Sequence, residues 1–140
     1  DAPLTGFGYG TFRSVFPLYR DGRVSVWGTW DKAHNTYLEL IQGLGIPVAA
    51  IFLLMVGAIF ARCLRGAVER RRFAAAAFAA SAATVLVGLH ALVDFSLQIQ
   101  AVALSWVALL GLGFAQSFST RSPQLTPSRM VNPQPVEWIR

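Results

Sequence analysis

Long uncharged apolar stretches dominate the pattern of this chain and predict membrane-spanning helices. Three stretches contain no Asp, Glu, Lys or Arg: Leu40–Ala61 with 22 residues, Phe73–Val93 with 21 and Phe95–Thr120 with 26. A helix needs about 20 apolar residues to cross the bilayer core, so each stretch is long enough. The predicted fold class is therefore an all-α integral membrane protein with three transmembrane helices, at about 40–61, 73–93 and 95–118.

Small residues within these stretches predict close packing between the helices. Gly43 and Gly45 loosen the backbone just before Pro47, so we expect the first span to begin at Ile46 or Pro47, where proline suits the first helical turn. The second stretch is rich in alanine, and the third carries a pair of glycines at 111 and 113. Small side chains let membrane helices approach closely, so both spans are expected to have helical neighbours.

The charged residues between the stretches predict the orientation. The loop Arg62–Arg72 has a net charge of +4, and the tail after Thr120 has +2. By the positive-inside rule both lie in the cytoplasm, which places segment 1–37 outside. Three regions follow: an exported loop segment at 1–37, a transmembrane region at 38–118, and a cytoplasmic, proline-rich tail at 119–140 that is predicted to be disordered. The predicted location is a membrane that the chain crosses several times.

Composition excludes several classes of function. Only 14% of the residues are charged, against about 25% in a soluble domain, which argues against a soluble enzyme and against a disordered chain. The net charge of +5 is mostly a topology signal, so no nucleic-acid partner is expected. Cys63 is the single cysteine, which excludes an internal disulfide and a cysteine zinc cluster. No metal or cofactor is predicted. The start at Asp1 and not at Met, close to a glycine-rich loop, indicates either a processed product or the C-terminal piece of a larger protein, and we expect the second.

Segment 1–37 carries too many aromatic residues and glycines for a simple tether. It contains eight aromatic residues, and its glycines alternate in Gly6-Phe-Gly8-Tyr-Gly10. Alternating glycines permit unusual backbone angles and the close approach of another group to the main chain. The alternative is an ordinary turn at the membrane surface with interfacial aromatic side chains. A nucleotide fingerprint is not supported, because the spacing, the preceding strand and the following helix are absent.

An arginine follows these aromatic residues in Phe16-Pro-Leu-Tyr19-Arg20. A guanidinium group on the exported face can bind phosphate through its planar pair of donors. The alternative is contact with lipid headgroups, or a surface ion pair with the neighbouring Asp21.

A histidine and an asparagine stand where the chain is expected to enter the membrane. Asp31 resembles a helix N-cap, and His34 and Asn35 follow it in the first turns of the predicted helix. A neutral imidazole can accept a proton near neutral pH, so His34 is a candidate base. A structural histidine is the alternative.

A second pair of titratable residues, His90 and Asp94, lies at the outer end of the second span. Their spacing of four places both on one face of a helix. Ionisable residues in a span are expensive and often functional. A structural hydrogen bond that closes the turn at 90–98 explains the pair equally well.

The order of these motifs resembles a known family. The chain carries Gly-Phe-Gly-Tyr-Gly-Thr-Phe from Gly6, Phe-Pro-Leu-Tyr-Arg from Phe16, Ala-His-Asn-Thr-Tyr-Leu-Glu-Leu-Ile-Gln-Gly-Leu-Gly from Ala33, and Val-Asp-Phe-Ser-Leu-Gln from Val93, followed by an apolar span. Over residues 6–118 this series is similar to the C-terminal part of the O-antigen ligase and O-antigen polymerase-like family of bacterial inner-membrane proteins. The segment Ala33–Gly45 is the most specific part.

The resemblance implies a metal-independent glycosyltransferase that moves a glycan from an undecaprenyl-diphosphate carrier. It matches His34 to the family's loop histidine, the candidate base or orienting residue, with Asn35 orienting either that histidine or a sugar hydroxyl. It makes Arg20 a candidate diphosphate contact, with Tyr19, Gly8 and Gly10 as further substrate-binding candidates. The resemblance also implies a location in the bacterial inner membrane, with the loop segment 1–37 in the periplasm. The expected partners are the lipid-linked glycan, membrane lipids and other transmembrane helices.

One departure from the family leaves a second function open. Family members have many more spans upstream, and three helices do not easily enclose a lipid-linked glycan. The alternative is a non-catalytic, truncated relative that serves as a structural transmembrane subunit of a larger bacterial membrane complex. In that case His34, Arg20, His90 and Asp94 are structural.

Overall fold

The computed structural model describes residues 1–23, 27–69 and 74–118, and every regular element among them is helical. Helix α1 spans Phe12–Tyr19, α2 spans Thr36–Glu69, α3 spans Ala74–His90 and α4 spans Gln100–Gln116, with a short 3-10 helix at Ser96–Gln98 between the last two. The all-α prediction is confirmed for the described residues. The predicted tail at 119–140 lies outside them, as do Arg70, Arg71 and Arg72 of the arginine-rich segment.

Helices α2, α3 and α4 pack side by side, with α3 antiparallel to the other two. The amide of Thr36, at the start of α2, donates to the carbonyl of Ala91, just after α3, at 2.9 Å. At the opposite end, Arg62 of α2 donates to the carbonyl of Ser117, just after α4. We call the first end the loop end, because segment 1–35 and the turn at 91–99 lie there, and the second the arginine end.

One helix of the described chain, α2, is long and apolar enough to cross a membrane. It has 34 residues, and only 11% of its most apolar 18-residue stretch is buried against the rest of the structure. Helices α3 and α4 are apolar but shorter, with 17 residues each.

The observed helix ends differ from the ends of the uncharged stretches. Helix α2 continues through Glu69, so Arg62 and Arg65 lie on a helix and not in the predicted loop. Arginine is a good helix former, and it continues a helix beyond the apolar region. Helix α3 ends at His90, and α4 begins only at Gln100, not at Phe95. Asp94 marks the intervening turn, but the residues on either side of it are uncharged, so charge does not mark where the turn begins and ends.

Helix α2 is broken at the glycines that precede Pro47. Gly45 has φ 75° and ψ 163°, which is not helical. Pro47 has no amide hydrogen to give to the carbonyl of Gly43, four residues earlier. In a continuous helix the amide of Ile46 would donate to the carbonyl of Gln42, and the break also prevents this bond. Two carbonyls and one amide of α2 therefore need partners outside the helix.

The N-terminal loop at 2–10, which we call the glycine loop, supplies all three partners. The amide of Phe7 donates to the carbonyl of Gln42 at 2.8 Å, and the amide of Gly8 donates to that of Gly43 at 2.9 Å. The carbonyl of Pro3 accepts from the amide of Ile46 at 2.8 Å. The glycine loop thus completes the hydrogen bonding of the broken helix.

This docking requires glycine on both sides. A Cβ atom on Gly6 would overlap the backbone of Gly43, and one on Gly45 would lie 2.5 Å from the carbonyl oxygen of Leu4. Gly6, Gly8 and Gly10 all have positive φ angles. The expectation of unusual backbone angles is therefore confirmed at all three glycines, and the close approach of another backbone is confirmed at Gly6.

Small residues hold the three long helices together, as predicted. Gly113 of α4 lies against Ala80 of α3, and Gly66 of α2 lies against the side chain of Ser117. Gly111, in contrast, has open space beside it. Most large apolar side chains point away from the bundle, and the fully buried side chains at its centre are small, for example Cys63 and Ala80.

Candidate functional site

The site-bearing segment lies at the loop end, where an irregular stretch at 27–35 leads into α2. The predicted N-cap at Asp31 is wrong, because α2 begins at Thr36. Asn35 takes that position: its side-chain oxygen accepts from the amide of Leu38 at 3.0 Å, and its side-chain nitrogen donates to the carbonyl of Leu92 at 2.8 Å. Asn35 therefore caps one helix and ties it to the turn after another.

His34 precedes this cap and has an unusual backbone. Its φ angle is +49°, and it is the one residue other than glycine with positive φ in the described chain. Histidine adopts this region more readily than most residues, but such angles still need support from their surroundings. The imidazole is exposed and lies edge-on to the ring of Phe95, with 5.2 Å between ring centroids. Among the described residues nothing hydrogen-bonds to this ring, so it can meet a bound molecule.

A polar network that sequence reasoning missed lies beside His34. The carboxylate of Glu39 accepts from the side-chain nitrogen of Gln98 at 2.6 Å and from the amide of Ala33 at 3.2 Å. The ammonium group of Lys32 donates to the side-chain oxygen of Gln98 at 2.9 Å and lies 5.2 Å from the centre of the Phe95 ring. Glu39 is 9% exposed, so this network buries its carboxylate.

The second pair of titratable residues is also brought together. The Nδ1 atom of His90 lies 2.6 Å from the hydroxyl of Ser96 and 3.5 Å from the carboxylate of Asp94. The spacing predicted this proximity, but the geometry is not that of one helix, because α3 ends at His90 and Asp94 lies in the turn.

The pKa of Asp94 is lowered from its usual value. The hydrogen bond from the amide of Phe95, at 2.7 Å, is the main cause. The hydroxyl of Ser96 lowers the pKa further, as do the nearby imidazoles of His90 and His34 whenever they carry a proton, against a smaller opposing effect of desolvation. The two histidines therefore act on one carboxylate, which keeps its charge to low pH.

Of the other predicted site residues, Tyr19 and Arg20 lie at the end of α1, and Gly8 and Gly10 lie in the glycine loop. Arg20 is half-buried at the end of α1. The hydroxyl of Tyr19 donates to the carboxylate of Asp1 at 2.7 Å, and its ring lies edge-on to that of Phe7. The amide of Gly8 donates to the carbonyl of Gly43 in α2, so it already has a partner. No described contact joins Arg20 or Tyr19 to His34.

Two cavities meet at the loop end. An apolar cavity of about 400 Å³ lies between α2, α3 and α4. A second cavity, of about 360 Å³, contains the polar groups of Lys32, Glu39 and Gln98 and is bordered by Gly10. The two share three wall residues, Tyr9, Leu97 and Ala103. A polar compartment therefore adjoins an apolar one that extends along the helices.

Within the described residues, no group of three or more His, Cys, Asp or Glu side chains is arranged to hold a metal ion. The comparisons with known proteins found no matching family model, no matching curated protein and no matching solved structure. The functional argument therefore depends on the chemistry of the loop end.

Proposed function

We propose that α2, α3 and α4 cross a bilayer, with the loop end in the periplasm and the arginine end in the cytoplasm. The 17 residues of α3 and of α4 extend about 25 Å at 1.5 Å per residue, near the lower limit for a spanning helix. Large apolar side chains cover the outside of all three helices, for example Leu54, Phe78 and Leu104 at 73%, 68% and 70% exposure. In water such a surface is unfavourable, whereas lipid solvates it.

We further propose that this chain is the C-terminal part of a transferase that takes a glycan from an undecaprenyl-diphosphate carrier, as the resemblance to the O-antigen ligase and polymerase-like family implies. One observation carries the proposal: the polar cavity beside Lys32 and Glu39 adjoins the apolar cavity between the helices. A lipid-linked glycan would match this pair of cavities, because it has a polar head and a long apolar chain.

His34 has the properties of a base for this reaction. Its imidazole is exposed at the loop end, where an acceptor hydroxyl would approach. A sugar hydroxyl must lose a proton as it attacks, and a neutral imidazole within hydrogen-bond distance can accept it. Asn35 supports this role by fixing the backbone directly after His34 through its two side-chain hydrogen bonds.

Arg20 is proposed to stabilise the diphosphate leaving group. Charge develops on the leaving oxygen during transfer, and a guanidinium group stabilises it through paired hydrogen bonds. Since no described contact joins Arg20 to His34, this role requires the substrate to extend between them.

The test is glycan transfer by the complete membrane protein after His34→Ala. The expected result is loss of transfer with normal membrane insertion, and Arg20→Ala should weaken the use of the diphosphate-linked donor. Ser14→Ala is a matched control, because Ser14 is an exposed polar residue of α1. Full transfer by His34→Ala would remove the histidine from the mechanism.

A structural subunit is the second candidate function, and one observation favours it. Gly111 of α4 has open space beside it in the described chain. Such a position allows another helix to approach the backbone closely. Purification in mild detergent distinguishes the two functions. A stoichiometric complex with unrelated membrane proteins, without transfer, supports the subunit. Transfer by the chain together with its own upstream helices excludes it.

A further inference from the structure

We propose that Glu39 is a positioning residue for His34. It acts through the backbone that precedes His34 and through the 3-10 helix that follows Phe95. The catalytic meaning of this inference rests on the proposed function. Its structural content rests on the hydrogen bonds at the loop end.

The carboxylate of Glu39 joins two segments that are far apart in the sequence. One oxygen, Oε2, accepts from the amide of Ala33, the residue directly before His34, at 3.2 Å. The same oxygen accepts from the side chain of Gln98 at 2.6 Å. Gln98 ends the 3-10 helix for which Phe95 is the N-cap. Glu39 therefore holds two parts of the structure: the backbone that carries the His34 imidazole, and the 3-10 helix beside Phe95, whose ring packs against that imidazole.

This carboxylate is also a built feature and not an incidental surface group. Glu39 is 9% exposed, and a buried charge is costly unless it is hydrogen-bonded. Its place in the first turn of α2 is favourable for a negative charge. Lys32 donates to the opposite side of the Gln98 amide, which orients that amide toward Glu39 and strengthens the chain of hydrogen bonds.

His34 needs such support because of its backbone. A positive φ is unfavourable for a residue other than glycine and persists only where the surroundings enforce it. Glu39 fixes the peptide before His34, and Asn35 fixes the chain after it. Without Glu39, the left-handed turn can relax and the imidazole can leave Phe95.

A purely structural role for Glu39 would lower stability without a specific effect on His34. Two variants separate the possibilities. Glu39→Gln keeps an oxygen that can accept both hydrogen bonds, whereas Glu39→Ala removes both. Leu38→Ala is the matched control, because Leu38 lies on the same helical turn and is 61% exposed.

The experiment measures the complete protein in nanodiscs by two readouts. The first is the proton resonance of the His34 ring, which the neighbouring Phe95 ring shifts; the resonance that disappears in His34→Gln assigns it. Glu39→Ala should move this resonance to the position found in Phe95→Ala, while Glu39→Gln and Leu38→Ala should leave it near the wild-type position. The second is glycan transfer, where Glu39→Ala should lower kcat about 10- to 100-fold, as expected for a displaced catalytic group, with little change in KM.

Each outcome decides a separate claim. A wild-type His34 resonance in Glu39→Ala overturns the positioning role. If the wild-type protein transfers no glycan, the proposed function fails, and the resonance still tests the positioning. If Glu39→Ala does not fold, Gln98→Ala replaces it, because that variant removes one of the two hydrogen bonds; an unshifted resonance there also overturns the inference.

Discussion

Replacing Gly45 by alanine should release the glycine loop from α2. The φ and ψ angles of Gly45, 75° and 163°, lie in a region that is open almost only to glycine. The new Cβ atom would lie 2.5 Å from the carbonyl oxygen of Leu4 and 2.6 Å from its carbonyl carbon. Both are backbone atoms, so no side-chain rotation relieves the overlap. The docked loop must move away.

The size of the effect follows from the hydrogen bonds that are lost. Release of the loop breaks its three main-chain bonds to α2, each worth about 0.5–1.5 kcal/mol, or roughly 1.5–4.5 kcal/mol in total. Since about 1.4 kcal/mol is a factor of ten, hydrogen exchange at the amides of Phe7 and Gly8 should accelerate by about 10- to 1000-fold.

Hydrogen exchange of the protein in nanodiscs measures this change directly. Gly10→Ala is the control: Gly10 has a φ of 78° but open space beside it, so the loop stays docked at a modest backbone cost. Gly57→Ala should have no effect on the loop, because that glycine is helical and also has open space beside it. Unchanged protection of Phe7 and Gly8 in Gly45→Ala would refute the account of the broken helix.

Two further predictions concern the turn after α3 and the packing of α4. The fold lowers the pKa of Asp94, so the ionised carboxylate stabilises the folded state. This contribution is complete above about pH 4, the unfolded pKa, and is lost as the pH falls through the lower folded pKa. Hydrogen exchange of the Phe95 amide should therefore accelerate in acid, and Asp94→Asn should abolish this pH dependence. Gly113→Ala should lower the thermal midpoint, because its Cβ atom would overlap Ala80, whereas Gly111→Ala should not, since open space lies beside Gly111; equal midpoints for the two variants would contradict the proposed packing.

The apolar pattern predicted the order of the three long helices but not their ends. The absence of charge located α2, α3 and α4, since burial in lipid or protein excludes charge from such stretches. It could not show that α3 stops at His90, because the turn at 91–99 is held by hydrogen bonds from Asn35 and Thr36, which are distant in the sequence. It also placed an arginine-rich loop where α2 continues, because charge by itself does not end a helix.

The candidate site was predictable only where its partners are close in the sequence. The spacing of His90 and Asp94 predicted their proximity, although a turn and not a helix brings them together. Glu39 and Gln98 are 59 residues apart, and no local pattern links them. A single acidic residue at the start of a long apolar helix was the signal available for this network, because such a charge requires a buried partner.

Labelling of engineered cysteines in intact cells tests the central claim, that the loop end faces the periplasm and the arginine end the cytoplasm. The background carries Cys63→Ala, since Cys63 is the single cysteine of this sequence. Gly22→Cys tests the loop end and Val68→Cys the arginine end, and both positions are exposed. The account predicts that a membrane-impermeant maleimide labels position 22 in intact cells and position 68 only after lysis. Labelling of position 68, but not 22, in intact cells would contradict it.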